Sequence, residues 1–240
     1  MKRFYKETAV DEAESGHRVL LDGRPIRTPA KAVMVLPTRG LAGAIAAEWH
    51  DVPEQAEINV SHLPLTRLAA TGIDRVAGQR DQVIEDTAKY AASDMLCYRA
   101  GEPSSLVERQ QRTWQPLLDW AAQRYDAPLF VGEGTAYVVQ PEESLAKLRA
   151  AVAGHGNLAL SALYNLTHVA GSLIIALAVS EGRLKAEEAF AAAQLDELYQ
   201  IERWGEDPIA TRRHAGIRQD IAAGARFLAL LERHRLGETA

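Results

Sequence analysis

The side chains best suited to metal or nucleophilic chemistry are one cysteine, Cys97, and seven histidines: His17, His50, His62, His155, His168, His214 and His234. No two histidines stand at i, i+4, the spacing that would put a metal pair on one helix face. A lone cysteine forms neither an internal bridge nor a cysteine-cluster metal site, which fits a reducing compartment. Between Leu96 and Tyr98, in a short predicted strand, it reads as a small buried side chain. No serine sits in a G-x-S-x-G turn and no phosphate-binding G-x-x-x-x-G-K-S/T loop is present. Gly154 and Gly156 lack the third glycine of a dinucleotide fingerprint. His168 alone invites a functional reading, because it shares a polar stripe with Ser161, Asn165 and Ser172. Its plainer role is that of a core histidine hydrogen-bonded to a neighbour. Together these residues predict no catalytic chemistry, no cofactor and no metal.

Charge is more informative than any of these motifs. The chain carries 27 Lys and Arg against 32 Asp and Glu, a net −5 that argues against a general nucleic-acid binder. The segment 181–207 holds eight acids and three bases, so it carries −5 by itself, whereas 208–236 has six arginines against two acids. Adjacent helices of opposite sign can simply attract one another. At about 100° per residue, Phe190, Leu195, Leu198, Ile201 and Trp204 share an apolar arc. Glu197 falls inside that arc, between Ile201 and Trp204, and Glu202 borders it near Leu195, whereas Asp196 and Arg203 point away. A carboxylate on a buried face needs a partner, because desolvating it unpaired costs several kcal/mol. That partner is either an arginine of the final helix, such as Arg212 or Arg213, or a group on another protein. In the second case the face is an interface with Trp204 as its anchor.

These residues must be positioned by a chain of 240 residues, enough for one large domain or two small ones at roughly 150 residues each. With 47% apolar and 25% charged residues, the composition is that of an ordinary globular protein. Short runs over 4–10, 17–21, 26–28 and 32–36, punctuated by Gly16, Asp22-Gly23 and Pro29, predict antiparallel strands and hairpins, with Asp22-Gly23 the clearest tight turn. Thr38 then caps a helix running to Trp49. From Pro64 onward the pattern predicts helices over 66–76, 79–92, 106–124, from Pro141, 185–204 and 208–235, with short strands at 95–98, 128–131 and 137–139. Alanine, the best helix former, occurs 41 times. The uncharged run 158–179 has the length of a membrane span, but its narrow polar stripe suits a core helix buried in protein. The expected fold class is α+β: a small N-terminal antiparallel β-rich domain over 1–65, then a larger, mainly α-helical domain over 66–240.

Five stretches carry a family resemblance: LDGRPIRTP from Leu21, LPLTRLAATGIDRV from Leu63, SDMLCYRA from Ser93, QQRTWQPLLDW from Gln110 and DELYQIERWGEDP from Asp196. In this order, and spanning most of the chain, they resemble the F1 complex assembly factor 2 family, whose members are chaperones for the alpha subunit of ATP synthase. The resemblance implies a non-enzymatic protein, without cofactor, that binds unassembled alpha subunit and keeps it from aggregating until the beta subunit replaces it. An orphan subunit of an alternating ring exposes apolar interfaces that a temporary partner covers. The resemblance also implies a β-rich N-terminal and a helical C-terminal domain, which agrees with the pattern above. By position it carries the family's functionally important acidic residues onto Glu197, Glu202 and Glu206. With Trp204 these form the expected partner-binding set. No leader is evident in the first residues, so a bacterial, cytoplasmic member without membrane insertion is expected, and nucleic acid is not an expected partner. Two other readings stay open at this point: a hydrolase-like enzyme using His168 and carboxylates in an interdomain pocket, and a generic holdase.

Overall fold

Asp22 and Gly23 both take positive φ, 47° and 75°, the geometry that lets a two-residue turn follow the twist of its strands. In the computed structural model, which describes residues 2–205 and 207–232, this turn joins β2 (Gly16–Leu21) to β3 (Arg24–Pro25). The Asp22 carboxylate also accepts from the Lys6 and Glu7 amides, tying the turn to the chain entering β1 (Thr8–Ala13). β1 pairs antiparallel with β2 from Thr8↔Leu21 to Ala13↔Gly16, and β4 (Val35–Leu36) pairs with the start of β2. The expected strands at 26–28 and 32–36 shrink to one bridge, Arg27↔Val33, and the two residues of β4. Likewise, 4–10 is extended only from Thr8. Tyr5 is instead buried and donates its hydroxyl to the Trp49 carbonyl.

Thr38 caps α1 (Arg39–His50), its hydroxyl accepting from the Leu41 amide at 3.0 Å. Leu41 and Ile45 on α1 are fully buried, and the helix packs on β1 and β2. Near its end, Glu48 accepts from the Leu65 and Thr66 amides at the start of α2 (Pro64–Thr71). Those amides are orphan donors of a helix N-terminus, and a carboxylate there satisfies them. The expected helix 66–76 is thus α2 followed by a π-helical turn, Gly72–Val76.

The chain divides into two compact units. One holds residues 2–80, 157–162 and 226–232; the other holds 81–156 and 163–225. The second unit is mainly helical: α3 (Arg80–Ala88), α4 (Ser104–Tyr125), α5 (Glu142–Ala153), α6 (Asn157–Ala170), α7 (Leu173–Ser180), α8 (Ala186–Ala193), α9 (Leu195–Trp204) and α10 (Pro208–Glu232), with α6 and α10 contributing to both units. Its core is α7, all eight of whose residues are buried. The apolar run 158–179 is therefore two helices, broken at Gly171, whose φ is 66°, and Ser172. Among the described residues no helix is long and apolar enough to cross a membrane.

Asp94, wholly buried, holds the start of α7. It accepts from the Ser172 hydroxyl and the Ile174 amide, at 3.0 and 3.1 Å, and from the Leu96 amide at 3.1 Å. The Ser172 hydroxyl in turn accepts from Ile175, capping α7. Hence Ser172 is a helix cap and not one rung of a continuous polar stripe.

The predicted strand 95–98 is a 3-10 turn, Met95–Cys97, leading into a two-residue strand β5 (Tyr98–Arg99), which pairs in parallel with β6 (Gly132–Glu133). The segments 128–131 and 137–139 are loop. The buried Gln140 side chain makes both hydrogen bonds that a strand partner would give Phe130, accepting from its amide and donating to its carbonyl. A side chain thus replaces the ladder and leaves Phe130, Tyr137 and Val139 exposed.

Candidate functional site

The expected helix 185–204 is interrupted at Gln194, whose φ of −112° and ψ of 24° separate α8 from α9. The Ala192 carbonyl just before the break accepts from the buried Trp114 indole at 2.9 Å. The break frees α9 from the rotational phase of Phe190, and its inward face is set by α4 instead. Tyr199 and Leu195 are buried. The Tyr199 hydroxyl bonds Ser105 at 2.6 Å, Gln110 donates to Asp196 at 2.8 Å, and Arg203 stacks over Tyr199 and donates to Ser105. Asp196 and Arg203, expected to point away, therefore help hold α9 to α4.

The arc expected to be buried is split: Phe190 and Leu195 are buried, Leu198 and Ile201 are half-buried, and Trp204 faces outward. Glu197, Ile201 and Trp204 stand at i, i+4 and i+7 and so share one stripe. Trp204 is 76% exposed, while Glu197 and Ile201 are half-buried. Glu197 makes no hydrogen bond or ion pair among the described residues. An apolar residue this exposed, aligned with an unpaired carboxylate, contributes little to the fold that carries it. Gly205, at φ 87°, ends the helix directly after Trp204 and leaves the indole at the tip. The signal that points to this orientation is Tyr199, an aromatic residue opposite the assumed arc.

Glu202 lies on the α4 side. Arg109 donates to both its oxygens, at 2.9 and 2.7 Å, and holds the Glu202 carboxyl below the usual carboxylate range. Its partner is thus Arg109, and neither Arg212 nor Arg213. Glu202 is exposed and Arg109 is half-buried over the Tyr199 ring, so Arg109→Ala is expected to lower the thermal midpoint only slightly. Glu202 titration should then return to an ordinary carboxylate pKa, as NMR of the side chain would show. A clear loss of stability in this variant would mean that the pair is structural. Glu206, the last residue of the expected set, lies outside the described residues.

His168 is exposed, bonded through Nδ1 to the Tyr90 hydroxyl at 2.8 Å and stacked on Tyr164; no carboxylate is among its partners. Cys97 is buried, and burial pushes its thiol up to about 12, which leaves it unreactive at neutral pH. Among the described residues no group of three or more His, Cys, Asp or Glu is placed to hold a metal ion. A second exposed apolar set is Phe130, Tyr137 and Val139. Its exposure has no signature in the sequence, because short apolar runs bounded by turn residues have the pattern of buried strands.

Known proteins resemble this chain over most of its length. The family described as ATP12 chaperone protein matches residues 2–122. The chain is 25% identical over 215 residues to a protein of fission yeast, Schizosaccharomyces pombe, named "Protein atp12, mitochondrial", covering 85% of this chain and 74% of that one. The crystal structure of Atp12 from Paracoccus denitrificans superposes with a TM-score of 0.88 at 42% identity, over 96% of this chain and 98% of that one; a point mutant of the same protein gives the same TM-score. A structure from Agrobacterium tumefaciens superposes with a TM-score of 0.89 at 41% identity, over 96% of this chain and 86% of that one. The chain belongs to the ATP12 chaperone family.

Proposed function

We propose that this ATP12-family chaperone acts in ATP synthase assembly, in the cytoplasm, by binding the unassembled alpha subunit until the beta subunit displaces it. The reading rests on one observation above all: the outward stripe of α9, in which an exposed Trp204 stands in line with the unpaired Glu197. An aromatic anchor beside a carboxylate with no internal partner is the composition of a protein-binding face. Nothing in this chemistry calls for nucleotide, metal or catalysis; the work is to cover apolar surface and then yield it. Glu202, beside α4, and Glu206 are the other acidic residues proposed to contribute to client binding. Glu202, whose own side chain is exposed, engages the client beside its Arg109 partner.

The test is titration of purified, unassembled alpha subunit with this protein, read by light scattering and by pull-down. Suppression of alpha aggregation without comparable protection of an unrelated aggregating protein supports the reading; equal protection of both would make the protein a generic holdase. Glu197→Ala is expected to weaken alpha binding while leaving the thermal midpoint unchanged. Loss of folding in that variant would place Glu197 in an internal role and overturn the assignment.

A further inference from the structure

The arginines of the final helix separate into two groups by what they touch. Arg218 sits 4.5 Å over the Phe190 ring and pairs with Glu187 at 3.4 Å, so it fastens α10 to α8. Arg226 places its charge near the half-buried Glu48 carboxylate and so serves the fold of the first unit. Arg212 and Arg213 differ from both. They are exposed, and neither makes an ion pair or hydrogen bond among the described residues.

Helical geometry explains the difference. At about 100° per residue, counting from Ile209, His214, Ile217, Arg218 and Ile221 fall between about 80° and 180°. His214 and Ile221 in that arc are buried, and His214 meets the Phe190 ring edge-on. Ile209, Arg212, Arg213 and Gly216 fall within about 100° of one another on the opposite side. Ile209 is 70% exposed, and a side chain added at Gly216 would meet nothing within 4 Å. The first turns of α10 therefore present an unpartnered face: an apolar residue at its start, two free guanidiniums one turn on, and bare backbone beyond them.

This face continues the chain from Trp204. Ile209 is five positions on from Trp204, so their Cα atoms stand at most roughly 17 Å apart. Arg212 and Arg213 follow about 5–6 Å further along the helix, and Glu197 precedes Trp204 by about 10 Å. Along the chain, the order is therefore a free carboxylate, two exposed apolar residues and two free guanidiniums.

We propose that Arg212 and Arg213 extend the client-binding face of α9 and receive an acidic segment of the alpha subunit, one that carries carboxylates beside an apolar side chain. The apolar side chain lies against Ile209, and the two planar guanidiniums take carboxylates in bidentate pairs. The two signs of charge, on α9 and on α10, fix the direction in which that segment lies. This rests on the alpha subunit being the client.

The experiment titrates purified alpha subunit with the wild-type chain, Arg212→Gln/Arg213→Gln and Arg212→Glu/Arg213→Glu, at low and at high salt. Because both side chains are exposed and unpaired, all three proteins are expected to share one thermal midpoint. Charge reversal is expected to weaken binding at low salt by tenfold or more, as an order of magnitude, with the neutral variant in between and the differences shrinking in high salt. Equal binding by all three proteins at low salt would overturn the role of Arg212 and Arg213 and leave alpha-subunit binding intact. Absence of binding by the wild-type chain would overturn the functional reading itself, and this inference with it.

Discussion

Replacing Trp204 by alanine is expected to abolish most of the affinity for the alpha subunit while leaving the fold intact. The indole is 76% exposed at the tip of α9, so its removal takes almost no buried apolar area from the free protein. A buried aromatic anchor at the centre of an interface is worth about 2–4 kcal/mol, which corresponds to a loss of about 30-fold to roughly 1,000-fold in affinity. Isothermal titration against unassembled alpha subunit, alongside a thermal melt, separates the two effects. An unchanged affinity would remove Trp204 from the interface. A melting point lowered in step with the affinity would show that the indole supports the fold.

The largest effect on stability is expected at Asp94. Its carboxylate collects the Ser172 hydroxyl and the Leu96 and Ile174 amides in a fully buried site, where each donor left unpaired costs about 1–3 kcal/mol. Asp94→Ala also loosens the start of α7, the core helix of its unit. A loss of about 3 kcal/mol or more is expected, lowering the midpoint by roughly 6–12 °C in a chain of this size. Burial, opposed by these hydrogen bonds, pushes the Asp94 carboxyl up to about 6 from 3.8. The folded protein therefore keeps this proton at pH values where the unfolded chain has released it. Below 3.8 both states are protonated, and above about 6 both are ionised. Between those values the contribution of Asp94 to stability falls as pH rises, by up to about 3 kcal/mol. Asp94→Asn has no proton to exchange there, so its stability should show less decline over that window. Denaturant melts across the window measure the slope, and an identical slope in the variant would refute the assignment to Asp94.

Features that depend on neighbours along the chain are legible in the amino-acid sequence. Asp22-Gly23 forms a turn because an Asp-Gly pair tolerates positive φ, and Thr38 caps α1 through an amide three residues on. The α+β class follows from short segments bounded by turn residues giving way to alanine-rich helices. Legibility ends where one residue far away intervenes. Gln140 replaces a strand at Phe130 with a pair of side-chain hydrogen bonds. Asp94 holds Ser172 from 78 positions away, so the apolar run 158–179 reads as one helix and folds as two.

For the candidate face, the sequence alone determined which residues could form it: acids, an indole and arginines set close together along the final third of the chain. It also determined that Glu197, Ile201 and Trp204 share a stripe, because i, i+4 and i+7 coincide on any α-helix. Only the tertiary structure decided which way that stripe points. Its direction depends on the break at Gln194 and on bonds from Ser105, Arg109 and Gln110, about 90 residues earlier, which draw Tyr199, Glu202 and Asp196 toward α4. Helical periodicity defines angles between side chains on one helix, but the absolute rotation comes from the surface it packs on. It was that surface which turned Trp204 and Glu197 outward.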